Sequence, residues 1–250
     1  MKRTVGTIQR LRNEPEVLKT YGDIIAEQER RGFVERVTPE QESAEEVHYI
    51  PHHPVKKESS TTPIRIVYDC SCRQSRDSPS LNDCLESTPP ELNELTSILV
   101  RFRMNQYAVT IDIEKAFLHV GLHEKDRDMT RFFWLENPSD PDSRLVTFRF
   151  KVVLFGATCS PFILNATLLK HLRQNKHVNA ATVIERDLYV DNIISSFKSE
   201  QELLRYFTEA RQLISNAGMN LRAWTSNSAS LKTAAKHENV LDADDVIKVL

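Results

Sequence analysis

An α+β fold is predicted for this 250-residue chain from three observations. Several stretches carry apolar residues at helical spacing, most clearly Leu203, Phe207, Ala210 and Ile214. Others alternate at strand period: within 145–153, Val146, Phe148, Phe150 and Val152 face one way, while Thr147, Arg149 and Lys151 face the other. Finally, Tyr189-Val190-Asp191-Asn192 lies between apolar, β-prone residues, and its Asp-Asn pair signals the tip of a hairpin. A hairpin tip exposes an acidic side chain while two strands fix its position.

The first helix is predicted over 15–31, with Asn13 as N-cap, Glu16 as the N3 acid and Gly32 as the stop. Its apolar face is Val17, Leu18, Tyr21, Ile24 and Ile25. A strand over 33–37 and a polar loop over 38–46 follow. Residues 47–55 read as an extended segment stiffened by Pro51 and Pro54, with His48, His52 and His53 packed on the domain. A polar loop over 56–62 leads to a strand over 64–68. The second helix opens at Thr88-Pro89-Pro90-Glu91, a capping box with prolines in the first turn, and buries Leu92, Leu95, Leu99 and Phe102. The strand over 107–113 sets Val109, Ile111 and Ile113 on one face and Asp112 on the other, near its end. Strands over 130–135 and 145–153 flank a polar turn containing Pro138 and Pro141. A third helix starts at Ser160-Pro161 with Phe162, Ala166, Leu169 and Leu172 inward. Ser199 and Glu202 cap a fourth helix, which Gly218 ends, and 219–224 reads as a further strand.

Apolar residues make up 40% and charged residues 27%, an ordinary globular balance. No apolar run approaches the ~20 residues of a membrane helix. The basic N-terminus, Met1-Lys2-Arg3, is followed by no apolar core of a signal peptide. A net charge of −2 neither requires nor excludes a nucleic-acid partner, because phosphate contacts need a local basic groove. Cys70, Cys72, Cys84 and Cys159 read as reduced thiols, and the expected location is cytoplasmic or particle-enclosed. A zinc site from His48, His52, Cys70 and Cys72 is a weaker alternative, since one residue between the cysteines is fewer than structural zinc uses.

Three further stretches can carry chemistry. Asp112 ends an apolar strand, where a carboxylate either caps the next turn or finds a cation. Phe117 lies five residues on, in reach of a sugar, and the intervening backbone N–H groups can meet a triphosphate. Phe155-Gly156-Ala157-Thr158-Cys159-Ser160-Pro161 joins a glycine that permits close backbone approach to a helix start; it is a plain turn or a platform for a base pair or phosphate. Arg65 alternates with apolar residues on a strand, as a solvated surface group or a phosphate ligand.

The order of these pieces resembles a reverse transcriptase, and specifically the BEL/Pao group of LTR retrotransposons. The resemblance rests on HYIPHHPV (48–55), RIVYDCSCR (65–73), SLNDCL (80–85), DIEKAFLHVGLHEKDRDMTRFFW (112–134), FGATCSPFILNATL (155–168), LYVDN (188–192) and GMNLRAWTSNS (218–228). It implies the fingers and palm of a right-hand polymerase, with an antiparallel palm sheet packed on helices. The implied division is fingers at 1–87 and 120–159, and palm at 88–119 and 160–250, ending at the primer grip without a thumb. It assigns catalysis to Asp112, Asp191 and Asn192, with two Mg²⁺ (or Mn²⁺) ions on Asp112 and Asp191. Nucleotide binding goes to Arg65, Ile113, Glu114, Phe117, Phe155 and Gly156, with Phe117 as the gate against a 2′-hydroxyl. Primer–template contact goes to Tyr189, Arg149 and Lys151. The implied partners are a primed RNA or DNA template, deoxynucleotides and the rest of a polyprotein (thumb, RNase H, integrase), with no membrane. Two positions depart from the family pattern: Asn192 stands where a second Asp is usual, and Ala223 where a Lys is frequent.

Overall fold

The structure is a computed structural model that describes residues 1–43, 46–56 and 64–242. Its strands and longer helices run, in chain order, α1 (Lys2–Leu11), α2 (Pro15–Arg30), β1 (Val34–Arg36), β2 (His52–Lys56), β3 (Ile64–Tyr68), α3 (Leu95–Phe102) and β4 (Tyr107–Ile113). They continue with β5 (Arg131–Leu135), β6 (Leu145–Phe150), α4 (Ser160–Gln174), α5 (Asn179–Asp187), β7 (Leu188–Tyr189), β8 (Asn192–Phe197), α6 (Glu200–Asn216), β9 (Leu221–Ser226) and α7 (Ala229–His237). The chain forms two compact units, one of residues 1–87 and 120–160, the other of residues 88–119 and 161–250. No helix among the described residues is long and apolar enough to cross a membrane.

The first unit holds an antiparallel sheet in the order β1-β6-β5 and the ribbon β2-β3. Helix α1, not anticipated from the sequence, buries Thr4, Thr7, Ile8 and Leu11 at helical spacing. Helix α2 takes Glu14 rather than Asn13 as N-cap, with Pro15 opening its first turn. The segment expected to be extended contains a strand: β2 pairs with β3 from His52↔Tyr68 to Lys56↔Ile64. Pro54 is accommodated because the ribbon has only two strands, so each has an unpaired edge. Residues 57–62 of the expected polar loop lie outside the described residues.

An aromatic cluster surrounds His52, with Tyr21 stacked on Trp134 at 4.4 Å and Tyr68 edge-on to Phe132 at 5.1 Å. The His52 Nδ1 meets the Tyr21 hydroxyl, and its Nε2 lies 2.8 Å from the Phe133 carbonyl. Both ring nitrogens are thereby committed, so His52 is no zinc ligand. Among the described residues no three His, Cys, Asp or Glu side chains are arranged to hold a metal.

The polar face of β6 is the main correction to the sequence reading. Arg149, which the resemblance assigned to primer–template contact, is 2% exposed. Its register neighbours are Glu35 on β1 and Arg131 on β5. The Arg149 guanidinium donates to Glu35 and Asp128, each at 2.9 Å, and Arg131 Nε donates to Asp128 at 2.8 Å. Lys151 Nζ lies 3.8 Å from Glu35. Burying two guanidiniums is tolerable only because both are paired and hydrogen-bonded. Arg149 is thus a structural cation, unavailable to a phosphate.

The second unit is built on the antiparallel sheet β7-β8-β4-β9. Val109, Ile111 and Ile113 of β4, with Ile193 and Ser195 of β8, form its buried face. Helix α6 packs here with Leu203, Phe207, Ala210 and Ile214 buried; Ser199 caps it and Gly218 (φ +74°) follows it. Helix α3 starts at Leu95, not at the prolines. Residues 89–94 stay non-helical: Glu91 N–H donates to Asn165 Oδ1 and the Asn93 amide donates to the Glu185 and Leu188 carbonyls. Consequently Ile98 is buried and Leu92 exposed. On α4 the inward stripe is Leu164, Leu168, Leu169 and Leu172, whereas Phe162 and Ala166 are exposed. Helices α5 and α7 were not anticipated. Asp187, at the end of α5, is buried and accepts hydrogen bonds from Arg101, Arg186 and Ser195, which ties α3, α5 and β8 together.

Candidate active site

Two strand ends bring the acidic residues together. Strands β7 and β8 form a hairpin in which Tyr189 faces Asn192, so Val190 and Asp191 are its two-residue tip. The turn thus falls within the Tyr189–Asn192 stretch that the sequence marks as a hairpin tip. Val190 has φ +58°, a conformation that favours glycine; a β-branched residue there costs on the order of 1–3 kcal/mol and must be held by its surroundings. The holding is visible: Ile113 N–H donates to the Asp191 carbonyl at 2.9 Å, and Asp112 faces Asn192 across the β4–β8 ladder.

Thr110 and Asp112 of β4, Asn192 and Ile194 of β8, Arg222 and Ala223 of β9, and Asp242 line a cleft of about 260 Å³. Partial burial raises the Asp191 pKa, and the Asp112 charge raises it further. Burial also raises Asp112, against the hydrogen bond and charge of Arg222, while Glu114 and Asp242 add to the rise. Asn192 Nδ2 donates to Asp191 Oδ1 at 2.9 Å. Two partly buried carboxylates, with the Asp112 charge acting on Asp191, suit a divalent cation. Hard oxygen donors of this kind fit Mg²⁺, which keeps several waters and uses one or two carboxylates.

Sequence reasoning gave no role to Arg222. Strand β9 carries a bulge: Asp112↔Arg222 and Thr110↔Thr225 are in register, with one extra residue on β9 between them. Ala223 lies there with φ +53°. Arg222 Nε donates to Asp112 Oδ1 at 2.9 Å. The available signal was alternation, since Arg222 follows the inward Leu221 as Asp112 follows the inward Ile111.

The remaining predicted residues divide between the units. Phe117 sits on a single 3₁₀ turn (Ala116–His119) after Lys115 at φ +48°, and its ring is buried. Two of the N–H groups expected at a triphosphate are committed internally. Ile113 donates to Asp191 and Glu114 to the Asn220 carbonyl at 2.8 Å, as ladder positions require. Arg65, Phe155 and Gly156 come together in the first unit. The Arg65 guanidinium lies 4.7 Å from the exposed Phe155 ring. Gly156 adopts φ +105°, and a Cβ there would meet the Tyr68 carbonyl at 3.2 Å. Asn82 pins this loop, donating to the Gly156 carbonyl and accepting from Thr158 N–H, each at 3.0 Å.

Comparison with known proteins agrees with this fold. A foamy viral protease–reverse transcriptase in complex with double-stranded DNA superposes with a TM-score of 0.58 at 19% identity, over 78% of this chain and 28% of that one. The foamy viral enzyme with an RNA/DNA hybrid gives 0.59 at 17%, over 82% and 23%. The native prototype foamy virus protein gives 0.56 at 18%, over 79% and 22%. The likeness is one of fold, and the chain spans less than a third of those chains. No curated protein matches the chain. The model of the family described as reverse transcriptase (RNA-dependent DNA polymerase) matches residues 55–224, and the chain belongs to that family.

Proposed function

We propose that this chain provides the fingers and palm of an RNA- and DNA-templated DNA polymerase, from the BEL/Pao group of LTR retrotransposons. The observation that carries the reading is the approach of Asp112 and Asp191, fixed by the β4–β8 ladder and the hairpin tip. These two carboxylates would hold Mg²⁺ or Mn²⁺. Such ions, when bound, activate a primer 3′-hydroxyl and neutralise charge on the transferring and leaving phosphates.

The chain's own part is positioning. Ladder hydrogen bonds set both carboxylates before any substrate arrives, so little reorganisation is left for the reaction. Asn192 orients one Asp191 oxygen by its 2.9 Å hydrogen bond. Phe117 is proposed as the ring that rejects a 2′-hydroxyl, Arg65 as a triphosphate contact, Phe155 and Gly156 as nucleotide-pocket residues, and Tyr189 as a neighbour of the primer terminus. The partners of this reading are a primed template, deoxynucleotides and further polyprotein segments, in the cytoplasm or a virus-like particle.

A second reading is favoured by one observation. Arg222 and Asn192 already occupy an oxygen of Asp112 and of Asp191, respectively, as expected of an inactive relative that still binds nucleic acid. Primer extension on poly(rA)/oligo(dT) with Mg²⁺ or Mn²⁺ separates the two. Extension that is lost in Asp191→Asn supports the polymerase; primer–template binding without extension supports the inactive relative.

A further inference from the structure

We propose that Arg222 is a movable counter-ion of the catalytic carboxylates, which holds Asp112 until a divalent ion binds and then passes to Asp242. The inference rests on the polymerase reading and adds a residue that sets metal affinity.

Three features carry it. The Arg222–Asp112 pair is close but not enclosed: the contact is 2.9 Å, with side-chain exposures of 50% and 30%. Arg131, by contrast, is fixed by burial, at 0% exposure against Asp128. Arg222 instead stands on a bulge whose next residue, Ala223, has φ +53°, so a local irregularity aims it at Asp112. Finally, Asp242 lines the same cleft as Asp112 and Arg222. Its backbone is fastened to β9: Trp224 N–H donates to the Val240 carbonyl at 3.0 Å and Asp242 N–H to the Trp224 carbonyl at 3.2 Å. Its charge already acts on Asp112.

The chemistry follows from charge. A guanidinium is cationic at all working pH values and cannot leave Asp112 by losing a proton. A divalent ion bound at Asp112 repels it strongly at such short range. The guanidinium must then find another acceptor, and among the described residues lining the cleft Asp242 is the other carboxylate. Arg222 therefore competes with metal at Asp112, and Asp242 relieves that competition.

The test is Mn²⁺ binding to this chain without nucleotide or nucleic acid, followed by electron paramagnetic resonance and calorimetry. Arg222→Gln should tighten Mn²⁺ binding by about three- to ten-fold, the range for a half-exposed pair plus loss of a nearby positive charge. Arg222→Lys, which keeps the charge, should stay near the starting affinity and controls for packing. Asp242→Asn should weaken binding, and that effect should largely vanish in the Arg222→Gln background. Unchanged or weaker binding in Arg222→Gln overturns the proposal, as does an Asp242→Asn effect of equal size in both backgrounds. Asp191→Asn separates the two levels of the reading. If it leaves Mn²⁺ binding intact, the metal-dependent polymerase reading falls. If it abolishes binding while Arg222→Gln changes nothing, only the counter-ion role falls.

Discussion

Replacing Asn192 by aspartate sets fold stability against metal affinity at one atom. Asn192 Nδ2 donates 2.9 Å to Asp191 Oδ1. A carboxylate in its place removes that donor, and a hydrogen bond to a charged acceptor contributes about 1.5–3 kcal/mol. It also adds a third negative charge beside Asp191, whose pKa burial and the Asp112 charge already push up. Without divalent ions, Asn192→Asp should therefore lose at least about 1.5–3 kcal/mol, or roughly 3–10 °C in melting temperature for a chain of this size. With Mn²⁺ the order should reverse in its increments. A third carboxylate strengthens ion binding, and an ion that binds only the folded form stabilises it by RT ln(1 + [L]/Kd). The assay is thermal unfolding with chelator and with millimolar Mn²⁺, on Asn192→Asp and the unmodified chain. The reasoning predicts a lower melting temperature in chelator and a larger Mn²⁺-induced rise for the variant. Equal Mn²⁺ shifts in both chains would refute it, because Asn192 would then lie outside the metal's reach.

Three further outcomes follow from the fold and the site. Burial pushes His52 down to about 4, so it is neutral in the folded chain. The unfolded imidazole titrates near 6.5, hence stability should be full above that pH and fall by about 3 kcal/mol as the pH drops toward 4; urea titrations of His52→Gln should lack this slope. Asp187→Asn removes a buried carboxylate that serves Arg101, Arg186 and Ser195 and should cost roughly 3 kcal/mol in urea denaturation, whereas an unmoved midpoint would show the cluster to be dispensable. Phe117→Val should raise ribonucleotide incorporation relative to deoxynucleotide incorporation in an extension assay, and an unchanged ratio would count against a role in sugar discrimination.

The catalytic strand and hairpin were legible because their signals are local. Period-two alternation in 107–113 and the turn chemistry of 189–192 depend on neighbouring residues alone, and both are found in the structure. Arg149 was misread because alternation shows which face a residue takes, not whether that face is covered. Its cover comes from Glu35 and Asp128, on other elements of the first unit. The proline-led helix start failed similarly, since Asn165, Glu185 and Leu188 hold residues 91–93 in place. Arg222 lay next to a recognised departure from the family pattern, yet only the bulge on β9 makes it a partner of Asp112.

The central claim is that Asp112 and Asp191 together carry nucleotidyl transfer. It is tested most directly by single-nucleotide incorporation into a primed RNA template, with the chain in excess and Mg²⁺ or Mn²⁺ present. The expected result is metal-dependent addition of the one complementary deoxynucleotide, lost by at least about 10³-fold, equivalent to about 4 kcal/mol of barrier, in Asp112→Asn and in Asp191→Asn separately. Incorporation that survives either substitution at an undiminished rate would contradict the claim.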